Sequence, residues 1–432
     1  MSPPAPRLID RLNSETAFRW MLALFVAALL VFSAIPIANA LLGESIKDNQ
    51  LWHDTGQHVL HSDEVYPERG HKFPFMYPPT AALLLAPISL LGTTGVVVFL
   101  VLGNALAWIA SILLAVRLAT GSWARKHLLV YLIPSLIVGV YIWSNFHIGQ
   151  PSMLLLTLLL AAFLALQKKW HWLAGALVAL AAAIKAFPFI LIVYLLYRRY
   201  WIAAASMLLT LAFLLILLPA PFRGLSQART DLRRWTEGML LKYDDKGLAQ
   251  RPGRSNSWKN QSIFGVANRL LRHVDADEQY APHRARYANF ADLEFATVNR
   301  LIVVGALLLG LIFILVMPRR AGRNRATDAM EFALLILLML VVTPLAFGYL
   351  FACLLYPFTV IVYRLVRQWS RALFFSAALA VVLLALTIPW QRSAQTYGNT
   401  FLATLTLFGG LALELWRVKR QEATSAVPAR PA

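Results

Sequence analysis

Apolar residues fall in long blocks along this chain, separated by short cationic turns and two long polar stretches. A helix needs roughly 20 apolar residues to cross a bilayer. Blocks of about that length, or somewhat shorter, lie at 19–41, 94–117, 128–144, 151–166, 171–184, 186–197, 201–218, 298–317, 329–343, 345–366, 371–388 and 397–416. The pattern predicts an all-α polytopic membrane protein with about twelve spans. The first block is long and many others follow, so it reads as a retained span rather than a signal peptide. The least certain division is "AAAIKAFPF". Pro188 removes a donor and crowds the preceding turn, so Lys185 marks either a break between two spans or a kink in one.

The turns carry the orientation. Arg117, Arg125 and Lys126 form one cationic group, Lys168 and Lys169 the next, then Arg198 and Arg199. "RRAGRNR" at 319–325, Arg364, Arg367 and Arg371, and finally Arg417, Lys419 and Arg420 continue the series. With twelve spans and a break at Lys185, all of these share one face with the N-terminus. The positive-inside rule makes that face cytoplasmic. The chain then divides into a cytoplasmic segment 1–18, a membrane domain 19–417 with external loops 42–93 and 219–297, and a disordered cytoplasmic tail 418–432. Within the first loop, Pro78 and Pro79 open a short interfacial helix that Pro87 limits.

Composition agrees with the pattern. Of 432 residues, 59% are hydrophobic and 14% charged, against roughly 25% charged in a soluble domain. The thirteen tryptophans suit interfacial anchoring. A net charge of +19 would suggest nucleic acid in a soluble chain. Here cationic loops facing anionic lipid or phosphate explain it, and no nucleic-acid partner is required. Cys353 is the only cysteine, so no disulfide forms within the chain.

Candidate chemistry gathers on the external side: Asp48, His53, Asp54, Asn145, His147, Gln150, Lys185 and "NQS" at 260–262. No P-loop or dinucleotide glycine pattern is present. A donor activated outside the cell has to be carried by the membrane, and a lipid phosphate is the obvious vehicle. A carboxylate there can take a proton from an acceptor hydroxyl. Asp48, close to the end of the first span, is placed ahead of Asp54. Either acid could equally be a solvated loop residue or a helix cap. Lys185 either snorkels to the interface or holds a donor phosphate. Asn145, His147 and Gln150 either bind a sugar or satisfy helix ends. His53 and His147 lack metal-ligand spacing, and neither metal nor cofactor is expected.

Four stretches resemble glycosyltransferase family 87, membrane transferases of GT-C architecture that use polyprenyl-phosphate sugars. They are "DNQLW…VY" from Asp48 to Tyr66, "FMYPPTAALLLAPISLL" at 75–91, "NFHIGQ" at 145–150 with "AGALVALAAAIKAFPF" at 174–189, and "NQSIFGVANRLLR" at 260–272. The resemblance implies an inverting transfer of mannose or another sugar from a polyprenyl phosphate to a glycolipid or glycan, outside a bacterial cytoplasmic membrane. It implies Asp48 as general base, and Lys185 and Arg269 at the donor phosphate. Tyr77, Asn145, His147, Gln150, Asn260, Gln261, Ser262 and Tyr349 then meet substrate, with His53 and Asp54 as secondary candidates. The chain departs from the family in a late span, where a Ser-Pro, a Trp and a His-Tyr are usual. Here "TPLAFGYL" places Phe347 and Tyr349 in those positions. A secondary transporter or a lipid-linked-sugar flippase is the alternative: broken spans and a buried lysine suit one, while the long external loops argue against it.

Overall fold

Lipid offers backbone N–H and C=O groups no partners, so the apolar blocks satisfy their own and become helices. The structure, a computed structural model, describes residues 13–44, 47–67, 75–240, 243–244, 247–248, 256–277 and 284–425. In chain order the helices are α1 (Glu15–Leu41), α2 (Lys47–Leu60), α3 (Pro79–Ser89), α4 (Gly92–Thr120), α5 (Leu129–Ile148) and α6 (Ser152–Gln167). Next come α7 (His171–Ile184), α8 (Leu191–Tyr197), α9 (Trp201–Ala212), α10 (Ala220–Arg223), α11 (Leu225–Trp235) and α12 (Ile263–Leu271). The series closes with α13 (Phe295–Val316), α14 (Arg325–Val342), α15 (Leu355–Arg367), α16 (Arg371–Ala385), α17 (Thr387–Thr396) and α18 (Asn399–Ser425).

Seven described helical segments are long and apolar enough to cross a bilayer, and the pair α16–α17, bent by 92°, makes an eighth. The expected twelve is not reached on this measure. The shortfall lies in α6, α7 and the 187–197 segment, which are shorter apolar helices. It also lies in α14, where Arg325, Asp328 and Glu331 interrupt the apolar run. The last helix, α18, runs to Ser425.

The bundle has two chemically distinct ends. At one, Glu15 pairs with Arg125, Arg325 donates to the Gly121 carbonyl at 3.3 Å, Arg198 to that of Pro318 at 3.0 Å, and Lys419 to that of Leu315 at 2.7 Å. The cationic turns therefore meet there. At the other end, Arg223 donates to the Asp63 carbonyl at 2.7 Å, and Gln261 to that of Gln395 at 2.7 Å.

Lys185 is a point of reversal. It ends α7 in an extended conformation (φ −149°, ψ 123°). A 3-10 turn, Phe187–Ile190, follows it and leads into α8. The rings of His171 and Tyr200, at the far ends of this pair, lie 5.4 Å apart. The two helices thus form a hairpin with Lys185 at its apex. The hairpin's base is tied to the core by a buried ion pair between Arg198 and Glu331, and Tyr194 donates to the same carboxylate at 2.6 Å.

Candidate functional site

The stretch from 47 to 60 is polar, yet it folds as α2, because Asn49, Trp52, Thr55, Gly56 and Val59 recur at helical spacing and are buried. α2 crosses α3 closely. A Cβ on Gly56 would lie 2.6 Å from Ser89 Cβ and 2.7 Å from the Leu85 carbonyl oxygen. Gln57 ties the crossing by donating to the Ser89 carbonyl at 3.1 Å. Asp48 sits in the first turn of α2, where a carboxylate complements the helix dipole.

The end of α5 comes to Asp48 through a glycine. Gly149 has φ +66°, and a side chain there would collide with Asn49 Oδ1. The turn delivers Gln150, whose Nε2 donates to Asp48 Oδ2 at 3.0 Å. The Tyr77 hydroxyl donates to Gln150 Oε1 at 2.6 Å, which settles which end of the amide faces the acid. Tyr77 is held from behind: the Tyr66 hydroxyl donates to its carbonyl at 2.6 Å, and Trp235 Nε1 to that of Met76 at 3.2 Å. Burial, and after it the neighbouring Tyr349 and Asp48, push the Tyr77 hydroxyl well above the usual tyrosine range. It therefore remains a donor at neutral pH.

Lys185 reaches the other side of this cluster. Its Nζ lies 5.3 Å from the Tyr77 ring centre and 4.5 Å from that of Tyr349, within cation–π range of both. Tyr77, Lys185 and Tyr349 line a cavity of about 410 Å³ that is otherwise mostly apolar, with Phe187, Val193, Trp235, Met339 and Phe347 among its walls. Asp48 and Lys185 are thus joined through Gln150 and Tyr77 beside an apolar chamber.

Several expected contacts lie elsewhere. Arg269 is fully buried in α12, and all three guanidinium nitrogens are directed to backbone carbonyls. Nε donates to Thr396 at 2.9 Å, Nη1 to Ser257 at 2.7 Å and Asn260 at 2.9 Å, and Nη2 to Gln395 at 3.1 Å. Burial lowers its pKa to about 9, so it stays cationic at pH 7, with most of its N–H donors given to backbone carbonyls. Through these bonds Arg269 fastens the loops of this end together.

The NQS triad also bonds to backbone carbonyls. Asn260 Nδ2 and the Ser262 hydroxyl donate to the Pro344 carbonyl at 3.0 and 3.1 Å. Gln261 Nε2 donates to the Trp258 and Gln395 carbonyls. Together they hold the 344–346 wall of the cavity. Asn145 is buried, donating to the carbonyls of Tyr141 and Tyr349 at 2.8 Å each, so it positions Tyr349. His147 stacks on Trp143 at 5.3 Å. Asp54 accepts from Gln50 at 2.7 Å, lies 3.2 Å from His53 and is half exposed.

Sequence reasoning did not single out α11. Leu225, Ala228, Leu232 and Trp235 recur at helical spacing, a signal that was available. Its Arg234 pairs with Glu64 at 2.8 Å and donates to the Tyr66 carbonyl at 3.0 Å, clamping the strap that carries Tyr66.

Fold and site define a class: an all-α, multi-pass membrane protein with an acid and a lysine gathered beside an apolar chamber at one end of its bundle. Within that class the chain belongs to glycosyltransferase family 87, whose profile matches residues 75–344. The chain is 32% identical over 222 residues to the polyprenol-phosphate-mannose-dependent alpha-(1-2)-phosphatidylinositol pentamannoside mannosyltransferase of Mycolicibacterium smegmatis. It is 29% identical over 213 residues to the protein of the same name in Mycobacterium tuberculosis. The first match covers 49% of this chain and 48% of the relative, the second 48% and 46%. The chain therefore spans about half the length of the curated relatives it matches.

Proposed function

We propose that this protein transfers a sugar, mannose by analogy with the relatives, from a polyprenyl phosphate to a glycolipid or glycan acceptor at the outer face of a bacterial cytoplasmic membrane. One observation carries the reading: Asp48 and Lys185, far apart in sequence, meet through Gln150 and Tyr77 beside a cavity of about 410 Å³ with largely apolar walls.

The chemistry follows from the placement. The donor's isoprenoid lies against the apolar wall and its phosphate meets Lys185. Asp48 takes the proton of an acceptor hydroxyl as that oxygen bonds to the anomeric carbon from the face opposite the phosphate. The carbon–oxygen bond to phosphate breaks, and the electron pair leaves with polyprenyl phosphate. Lys185 offsets the charge that develops there. Attack opposite the leaving group inverts the anomeric centre, and phosphate needs no acid to help it depart. This differs from the two-carboxylate arrangement of glycosidases. Gln150 and Tyr77 orient the base, while Asn145 and the NQS triad hold the chamber wall.

Asp48→Asn keeps the shape and removes the base. With purified polyprenyl-phosphate mannose and a glycolipid acceptor, turnover should fall by about 10²–10⁴-fold. Lys185→Met should both raise the KM for the donor and lower kcat, because the charge it offsets develops as the phosphate leaves. Near-normal turnover in folded Asp48→Asn protein would end the assignment of the base. Donor flipping or solute uptake without a glycosidic product would overturn the transferase reading.

A further inference from the structure

The end of the bundle opposite Asp48 holds a cavity that the proposed reaction does not use. It is about 240 Å³ in volume and lies between the end of α15, the start of α16 and α18. Arg364, Arg371 and Arg417 line it together with Gln368, Ser370 and Gln421, and Glu414 is the one carboxylate among its walls. Arg364 already neutralises that carboxylate through a 2.7 Å ion pair. Its Nε remains buried without a hydrogen-bond partner among the described residues. Among the described residues, Arg417 makes only a long 3.5 Å contact, to the Ser370 hydroxyl. A second cavity of about 290 Å³ shares Arg364 and Gln368 and adds Arg367. Three guanidinium groups thus share this cavity with one carboxylate, and a fourth lines the cavity next to it, an excess of charge that suits an anion.

The surroundings say where that anion comes from. Trp369, beside the cavity, is 62% exposed and packs on Phe374 at 4.7 Å, the kind of aromatic that settles at headgroup depth. From Arg371 an exposed apolar stripe runs along α16 through Phe375, Leu379 and Val382, residues spaced to share one helix face. We propose that this is a binding site for an anionic phospholipid. Its phosphate sits among Arg364, Arg371 and Arg417, and an acyl chain follows the α16 stripe. Paired arginine donors suit phosphate oxygens, and the stripe gives a lipid a contact that free phosphate lacks.

The test is native mass spectrometry of the full chain in detergent, with dioleoyl phosphatidylglycerol or phosphatidylcholine added. Phosphatidylglycerol should give a retained adduct that phosphatidylcholine does not. The double variant Arg371→Gln/Arg417→Gln should bind it about thirtyfold more weakly. Both residues are exposed, so a melting curve should show the variant folded. Arg199→Gln, an exposed arginine elsewhere at this end, should bind normally. Equal retention of the two lipids, or wild-type binding by the double variant, would overturn the site. Displacement of the adduct by excess inorganic phosphate would overturn the lipid assignment in favour of a free anion.

Discussion

Gln150 carries one amide with two ends, and Tyr77 decides which end faces which neighbour. Because the tyrosine donates to the carbonyl oxygen, the amino group is left to hold Asp48. This relay depends on buried hydroxyls staying protonated, and burial is the main reason that those of both Tyr66 and Tyr77 are pushed well above the usual tyrosine range. The sign of the pH dependence follows. A raised folded-state pKa gives stability that is complete below the ordinary tyrosine value of about 10 and is lost as pH rises above it, because the unfolded chain releases its protons first. The denaturation midpoint should therefore fall from about pH 10 upward. The fall should be shallower in Tyr66→Phe, whatever that variant's stability at pH 7. An identical alkaline slope in the two proteins would count against it. Lys185 was legible in the sequence because it interrupts an apolar run, and Asp48 because it is an acid close to the end of the first one. The Tyr77–Gln150 bond was not, since the two lie 73 residues apart and neither type is unusual where it stands.

Among elements, the α2–α3 crossing sets where Asp48 can point. The close approach at Gly56 leaves no room for a methyl group, and one contact is to backbone, which cannot rotate aside. Gly56→Ala should therefore lower stability by about 1–3 kcal/mol, measured as a shift in thermal midpoint, with a loss of turnover as α2 is displaced. An unchanged midpoint would show that the crossing has slack. The sequence pattern missed α2 because the stripe it buries is half polar, Asn49 and Thr55 beside Trp52 and Val59. The hairpin at Lys185 contains a regularity the sequence also concealed. The turn at 168–170 and the turn at 198–200 repeat the same backbone hydrogen bonds, Trp170 to Ala165 and Tyr200 to Leu195 at 2.8 Å each. Lys169 and Arg199 take the left-handed conformation at φ 61° and 57°. Lys-Lys-Trp and Arg-Arg-Tyr share chemistry but no residue, so the repeat appears only as geometry.

For the whole molecule, the separation of the cationic turns from the Asp48 end yields a topological test. The positive-inside rule assigns the cationic end to the cytoplasm. In intact cells, a cysteine at exposed His61 should react with an impermeant maleimide, and one at Lys169 only after the membrane is opened. The native Cys353 is buried and should stay silent. The reverse pattern would place the site in the cytoplasm and remove the need for a lipid-carried donor. The number of spans was less legible than their positions. Apolar blocks announce helices, but α6 and α7 are short and α14 carries three charges, and only their packing against neighbours accounts for helices of that kind.

Local composition was enough to establish an all-α membrane protein, the positions of most of its helices, the grouping of its cations in the turns and the acid and lysine worth watching. Each of these depends on residues close together along the chain, through hydropathy and charge. The meeting of Asp48 with Lys185, the carbonyl-bound state of Arg269 and the wall-holding work of the NQS triad belong to the folded chain alone. They are contacts across tens to hundreds of residues, and a one-dimensional pattern carries no term for which distant carbonyl or ring will lie beside a given side chain.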